Sequence, residues 1–150
     1  MTDISFYHVK NTVFEKSICR LLDKIYSSGY KALVVVKDED FAANLDKILW
    51  SFASKAFVPH GVSNEDKADE QPILIATDTE NKNQADLLML THYIDVDIAG
   101  FKRVIYIFDD NDEQITAARQ QYKRYKDAGH ELAYYKQQPK GDWVNMGEAT

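Results

Sequence analysis

Residues 32–36 read Ala-Leu-Val-Val-Val, an unbroken apolar run set between Lys31 and Lys37. A strand with no polar side has no face to give to water, so it must be covered by other elements on both sides, as in parallel sheets. The run is also too short and too rich in β-branched residues for a helix. What precedes it has a different period. Phe14, Ile18, Leu21, Leu22 and Ile25 recur at helical steps, which predicts an amphipathic helix from about Thr12 to Ser28. Ser27-Ser28-Gly29 is its stop signal, with Gly29 suited to a left-handed cap. Ile4 to Val9, apolar and aromatic, reads as an opening strand. Strand, helix and covered strand together make a βαβ beginning, which commits the chain to a parallel sheet.

The same alternation continues. Asp38 to Asp40 place carboxylates where a second helix would start. Phe41, Leu45, Ile48 and Leu49 give that helix its apolar stripe, and it should run out near Trp50 to Phe52. Ser54 to His60 reads as a turn into an extended segment ending at Pro59, and the acidic stretch Gly61 to Gln71 as a surface loop within one domain. Pro72 to Thr77 predicts a strand. Asp86 to Leu90 is too short to divide by period between strand and short helix. Phe101 to Phe108 predicts a strand, Asn111 to Ala128 a long helix ending at Gly129, and Glu131 to Tyr135 a last strand. From about residue 139 the chain is a polar tail apart from Trp143. The expectation is a single α/β domain over residues 1–150, three layers deep, with a mostly parallel sheet flanked by helices.

Composition narrows the function. At 150 residues with 45% hydrophobic content, 6 Gly and 3 Pro, the chain can bury a sizeable core. Cys19 is the one cysteine, so no disulfide forms within a monomer. The start, MTDISFYHVK, lacks a signal peptide's basic region and long apolar run, and no stretch approaches a membrane span. A cytoplasmic protein without membrane contact is expected. A net charge of −6 opposes broad attraction to a phosphate backbone, so nucleic acid would be reached through another protein.

Catalytic patterns find little support. The turns after the first two strands, His8 to Thr12 and Lys37 to Asp40, hold no glycine, and no Walker lysine motif exists. A pyrophosphate could not approach the backbone there, and no cofactor is expected. Asp109, Asp110 and Asp112 stand where a magnesium site could form, but Asp110 or Asn111 as helix cap, with Asp112 and Glu113 at the dipole, accounts for all of them. His8, His60, His92 and His130 are scattered, and no Gly-X-Ser-X-Gly elbow occurs. No metal site or catalytic residue is assigned.

Two surfaces remain. On the last helix, Arg119 and Lys123 fall about 40° apart and Lys126 about 20° to the other side of Arg119, so the three share a face, with Tyr122 about 60° away. Such a stripe is also what any solvated helix face shows. Trp50, Phe52, Phe57, Val58 and Pro59 cluster at a helix exit, which fits either core or a protein interface anchored by aromatics.

Leu45 to Gly61, LDKILWSFASKAFVPHG, and Ala117 to Gly129, AARQQYKRYKDAG, occur in order with ISFYHV, QPILIATD and the near-terminal Trp143. In that order they resemble the chi subunit family of the bacterial DNA polymerase III holoenzyme. The resemblance implies a Rossmann-like topology without a nucleotide-binding glycine loop. It also implies two partners. The acidic C-terminal tail of single-stranded-DNA-binding protein, ending in proline and phenylalanine, would be held with its terminal carboxylate on Arg119. Tyr122 and Lys123 match neighbouring pocket positions, Phe108 would form the floor, and Lys126 extends the basic stripe toward the tail's aspartates. Gln121 and the large Phe108 depart from the family pattern. The psi subunit, and the clamp loader through it, would be met by Trp50, Phe57 and His60, with Phe52 and Pro59 in the same cluster. The expected protein is a noncatalytic replication adaptor that reaches DNA indirectly. The alternatives are an α/β enzyme of other chemistry or a direct single-stranded nucleic-acid binder.

Overall fold

Strand β2 (Ala32–Val35) is buried at every position, as its unbroken apolar run requires. In the computed structural model, which describes residues 3–10, 13–51, 61–62, 71–139 and 143–146, β2 lies deep in an eight-stranded sheet. The other strands are β1 (Asp3–Val9), β3 (Gly61–Val62), β4 (Ile73–Ala76), β5 (Leu87–Leu90), β6 (Arg103–Asp109), β7 (Glu131–Gln137) and β8 (Trp143–Asn145). Their order across the sheet is β3-β4-β2-β5-β6-β1-β7-β8. All neighbouring pairs are parallel except β7 and β8.

Among the described residues three helices cover the two faces: α1 (Phe14–Ser27), α2 (Glu39–Ser51) and α3 (Asp112–Asp127). On one face Ile18, Leu22 and Ile25 of α1 and Leu45 and Leu49 of α2 pack with Val34, Ile75, Met89 and Ile107. On the other, Ala118, Tyr122 and Tyr125 of α3 pack with Ile4, Phe6, Leu88, Val104, Tyr106 and Leu132. Strand residues alternate between the two clusters because the pleat sends successive side chains to opposite sides. The fold is the three-layer α/β arrangement that the sequence predicts.

Helix ends follow local chemistry. Asp38 accepts a hydrogen bond from the Phe41 amide at 2.7 Å as α2 begins, and Asn111 caps α3 by accepting from the Gln114 amide at 2.9 Å. Both α1 and α3 close with glycine in the left-handed region, Gly29 at φ +86 and Gly129 at φ +88. At Gly129 the amide donates to the Lys126 carbonyl and the His130 amide to the Tyr125 carbonyl, a Schellman closure. A Cβ at Gly129 would meet no atom within 4 Å, so the cost of Gly129→Ala is purely conformational. The substitution should destabilise the fold by about 1–2 kcal/mol, measured as a lowered urea midpoint with unchanged slope.

Three expectations need correction or resolution. The stretch 61–71, read as loop, begins with the two-residue edge strand β3, too short to show a period. The tail read as polar contains β8, whose Trp143 packs edge-on to Tyr7 at 5.0 Å between ring centres. Its antiparallel pairing is made with β7, which sequence alone could not place beside it. Asp86 to Leu90 resolves to the buried strand β5.

Candidate functional site

Register builds the site. In the parallel ladders Phe6 of β1 stands beside Tyr106 of β6 and Tyr134 of β7, and His8 stands beside Phe108 and Lys136. The pleat turns these even-numbered residues toward α3. Phe6 is fully buried, with ring centres of Tyr106 and Tyr122 at 5.1 and 5.2 Å. Above it a cavity of about 390 Å³ opens, lined by Phe6, Phe108 and Tyr134 from the sheet and Ile115, Ala118, Arg119 and Tyr122 from α3. One cation at the edge of an otherwise apolar and aromatic hollow suits an anion attached to an apolar group.

Three of the five residues expected for the tail meet at this cavity: Phe108, Arg119 and Tyr122. Tyr122 is more buried than a residue at the border of the stripe, because it packs against Phe6. Lys123 and Lys126 are exposed on the same helix and do not line the hollow. Arg119, Lys123 and Lys126 form no ion pair among the described residues, whereas Arg124 is committed to Asp95 at 2.6 Å and to the Tyr93 hydroxyl at 3.3 Å. Gln121 faces inward, donating to the Ile94 carbonyl at 3.1 Å and the Tyr125 hydroxyl at 2.7 Å. It ties the loop after β5 to α3 and takes no part in the basic face.

Phe6, Ile115, Ala118 and Tyr134 also line the hollow and were not assigned to the site from sequence. Behind Phe108, His8 is buried and stacked on its ring at 4.6 Å between centres. The two ring nitrogens are both engaged: Nε2 with Asp110 Oδ1 at 2.8 Å and Nδ1 with the Tyr134 hydroxyl at 2.9 Å. Burial holds the His8 pKa below the usual histidine value against the opposing pull of Asp110. Burial likewise pushes the Tyr134 phenol up, with Arg119 acting the other way. Cys19 lies on the buried face of α1 with its thiol pushed up to about 12, chiefly by burial, so no reactive thiol arises there. No cluster of three or more metal-ligating side chains exists among the described residues, and none of their helices is long and apolar enough to cross a membrane.

Of the second expected surface, Trp50 lies on the opposite side of the sheet. Trp50, near the end of α2, is 57% exposed. Phe52, Phe57, Pro59 and His60 lie outside the described residues. Because α2 covers one face and α3 the other, Trp50 and Arg119 sit on opposite sides of the molecule.

The family described as DNA polymerase III chi subunit, HolC, matches residues 1–133. The chain belongs to this family. A probable DNA polymerase III subunit chi of Rickettsia prowazekii is 34% identical over 117 residues, covering 73% of this chain and 71% of the relative. DNA polymerase III subunit chi of Escherichia coli K12 is 28% identical over 141 residues, covering 88% and 96%. Among solved structures, S. cerevisiae Dbp5 bound to Nup159, Gle1, IP6 and ADP superposes with a TM-score of 0.61 at 12% identity, over 90% of this chain and 42% of that one. The chain thus spans less than half of that solved chain, and the likeness is one of fold. Family membership makes this chain an accessory subunit of DNA polymerase III.

Proposed function

We propose that this chain is a noncatalytic cytoplasmic adaptor that joins the psi subunit, and with it the clamp loader, to the C-terminal tail of single-stranded-DNA-binding protein. The observation that carries the reading is Arg119, unpaired among the described residues, at the edge of the aromatic hollow floored by Phe6 and Phe108. A peptide ending in phenylalanine carries an apolar ring and a carboxylate on one residue, and the hollow offers a counterpart to each. The guanidinium takes the carboxylate, the hollow takes the ring, and Lys123 and Lys126 along the helix meet the upstream aspartates. Placement of Trp50 across the sheet leaves room for psi to bind at the same time, which is what tethering requires.

Titration with a fluorescent peptide of several aspartates ending in proline and phenylalanine tests the tail site, with Arg119→Ala alongside. Saturable binding that weakens with salt and is lost in the variant supports it. No binding by folded wild-type chain would exclude it. For the other face, Trp50→Ala should lower psi capture by at least tenfold, as for an aromatic interface anchor, while binding of the tail peptide stays unchanged. Equal psi capture by both chains would remove Trp50 from that surface.

A further inference from the structure

We propose that His8 is a positioning residue that switches what Tyr134 offers to the ligand, so that the pocket grips a carboxylate more tightly when His8 is protonated. This rests on the reading of the hollow as a site for a carboxylate-ended peptide. Asp110 Oδ1, as a carboxylate oxygen, accepts, so the neutral His8 ring carries its proton on Nε2. Nδ1 is then an acceptor, and the Tyr134 hydroxyl must donate to it. In that state the phenolic proton is directed at His8, away from the hollow, and Tyr134 presents only oxygen lone pairs to whatever Arg119 holds. Those lone pairs repel a carboxylate.

Protonation at Nδ1 reverses the bond. The imidazolium has two donors, one for Asp110 and one for the Tyr134 oxygen. The phenolic proton is released to turn toward the hollow and donate to the ligand beside Arg119. One proton taken up behind the wall thus replaces a repelling lone pair by a donor at the binding surface. Burial of the ring keeps this switch at the acidic side of neutrality.

The charged groups around His8 come from three elements. Lys10, just past the end of β1, and Lys136 on β7 oppose protonation, and Asp110 after β6 favours it. From α3, Arg119 acts on Tyr134. A bound ligand carboxylate would add a second anion and draw the proton onto His8, so peptide binding and protonation reinforce each other by linkage. His92, also held low by burial, lines a different hollow with Tyr93 and Glu113, and serves as the internal control.

The fluorescent tail peptide, whose aspartates titrate near about 3.9, is titrated at constant ionic strength between pH 8 and pH 5.5 against wild type, Tyr134→Phe, His8→Gln and His92→Gln. Circular dichroism verifies folding at each pH, because a histidine held below its free value lets the unfolded chain take the proton first and stability falls with pH. Wild type and His92→Gln should tighten about 3- to 10-fold on acidification, the size of one hydrogen bond to a charged group. Tyr134→Phe should bind with most of that slope gone, and His8→Gln with none. Peptide binding should also raise the His8 pKa read by NMR. Arg119-dependent binding with a flat wild-type profile, or with the same slope in Tyr134→Phe, overturns the switch and leaves the tail site standing. Absence of Arg119-dependent binding at every pH overturns both.

Discussion

Alanine at position 119 is expected to weaken the acidic tail peptide by about 10- to 100-fold, the loss that follows when a charge-assisted hydrogen bond to a carboxylate is removed. The fold should be indifferent, because Arg119 is exposed and makes no ion pair among the described residues. Two controls separate the guanidinium from general charge. Lys123→Ala should cost less and mainly reduce the salt dependence, since Lys123 does not line the hollow. Amidation of the peptide's terminal carboxylate should reproduce most of the Arg119→Ala loss and add little to it. Fluorescence anisotropy at low and moderate salt checks each arm. An Arg119→Ala chain that binds like wild type would mean that the carboxylate is held elsewhere.

Phe6→Ala should lower the free energy of unfolding by about 3–5 kcal/mol, the range for aromatic truncation in a packed core. The side chain is fully buried. Its ring is stacked on Tyr106, edge-on to Tyr122 and tilted against Tyr125 at 6.4 Å, and such pairs add to burial alone. Since Phe6 also floors the hollow, its loss enlarges the site and should weaken the peptide in whatever fraction stays folded. Phe6→Leu, closer in volume, should be markedly milder. Urea unfolding followed by far-ultraviolet circular dichroism measures both. A drop of less than about 1 kcal/mol for Phe6→Ala would contradict the tight three-ring packing.

How much of this was visible in the chain depends on whether the signal was local. The helices were legible because Phe14, Ile18, Leu22 and Ile25, and then Phe41, Leu45, Ile48 and Leu49, repeat with the helical period. Their ends were legible because caps use short-range chemistry, as at Asp38, Gly29, Asn111 and Gly129. Strands of two or three residues, β3 and β8, gave no period to read. On α3, angular spacing placed Arg119, Lys123 and Lys126 together, yet it could not show that Gln121 turns inward to the Ile94 carbonyl. That bond depends on a loop 27 positions earlier in the sequence.

The hollow itself divides in the same way. Phe108, Arg119 and Tyr122 were accessible to motif reasoning because they lie within one strand end and the helix that follows it. Phe6 and Tyr134 were not. They join the site only because β1 runs between β6 and β7, with Phe6 level with Tyr134 and His8 level with Phe108. Local periods and caps are written in neighbouring residues, so the sequence by itself determined the layers, the helix limits, the basic face and the absence of a glycine phosphate loop. Strand order and register arise from pairing between distant segments, as β1 pairs with β6 and β7 from 100 or more positions away, which no local pattern encodes. Only the tertiary structure could therefore decide that an aromatic floor and an arginine unpaired among the described residues share a single pocket, with the Asp110–His8–Tyr134 hydrogen-bond chain reaching it through Tyr134.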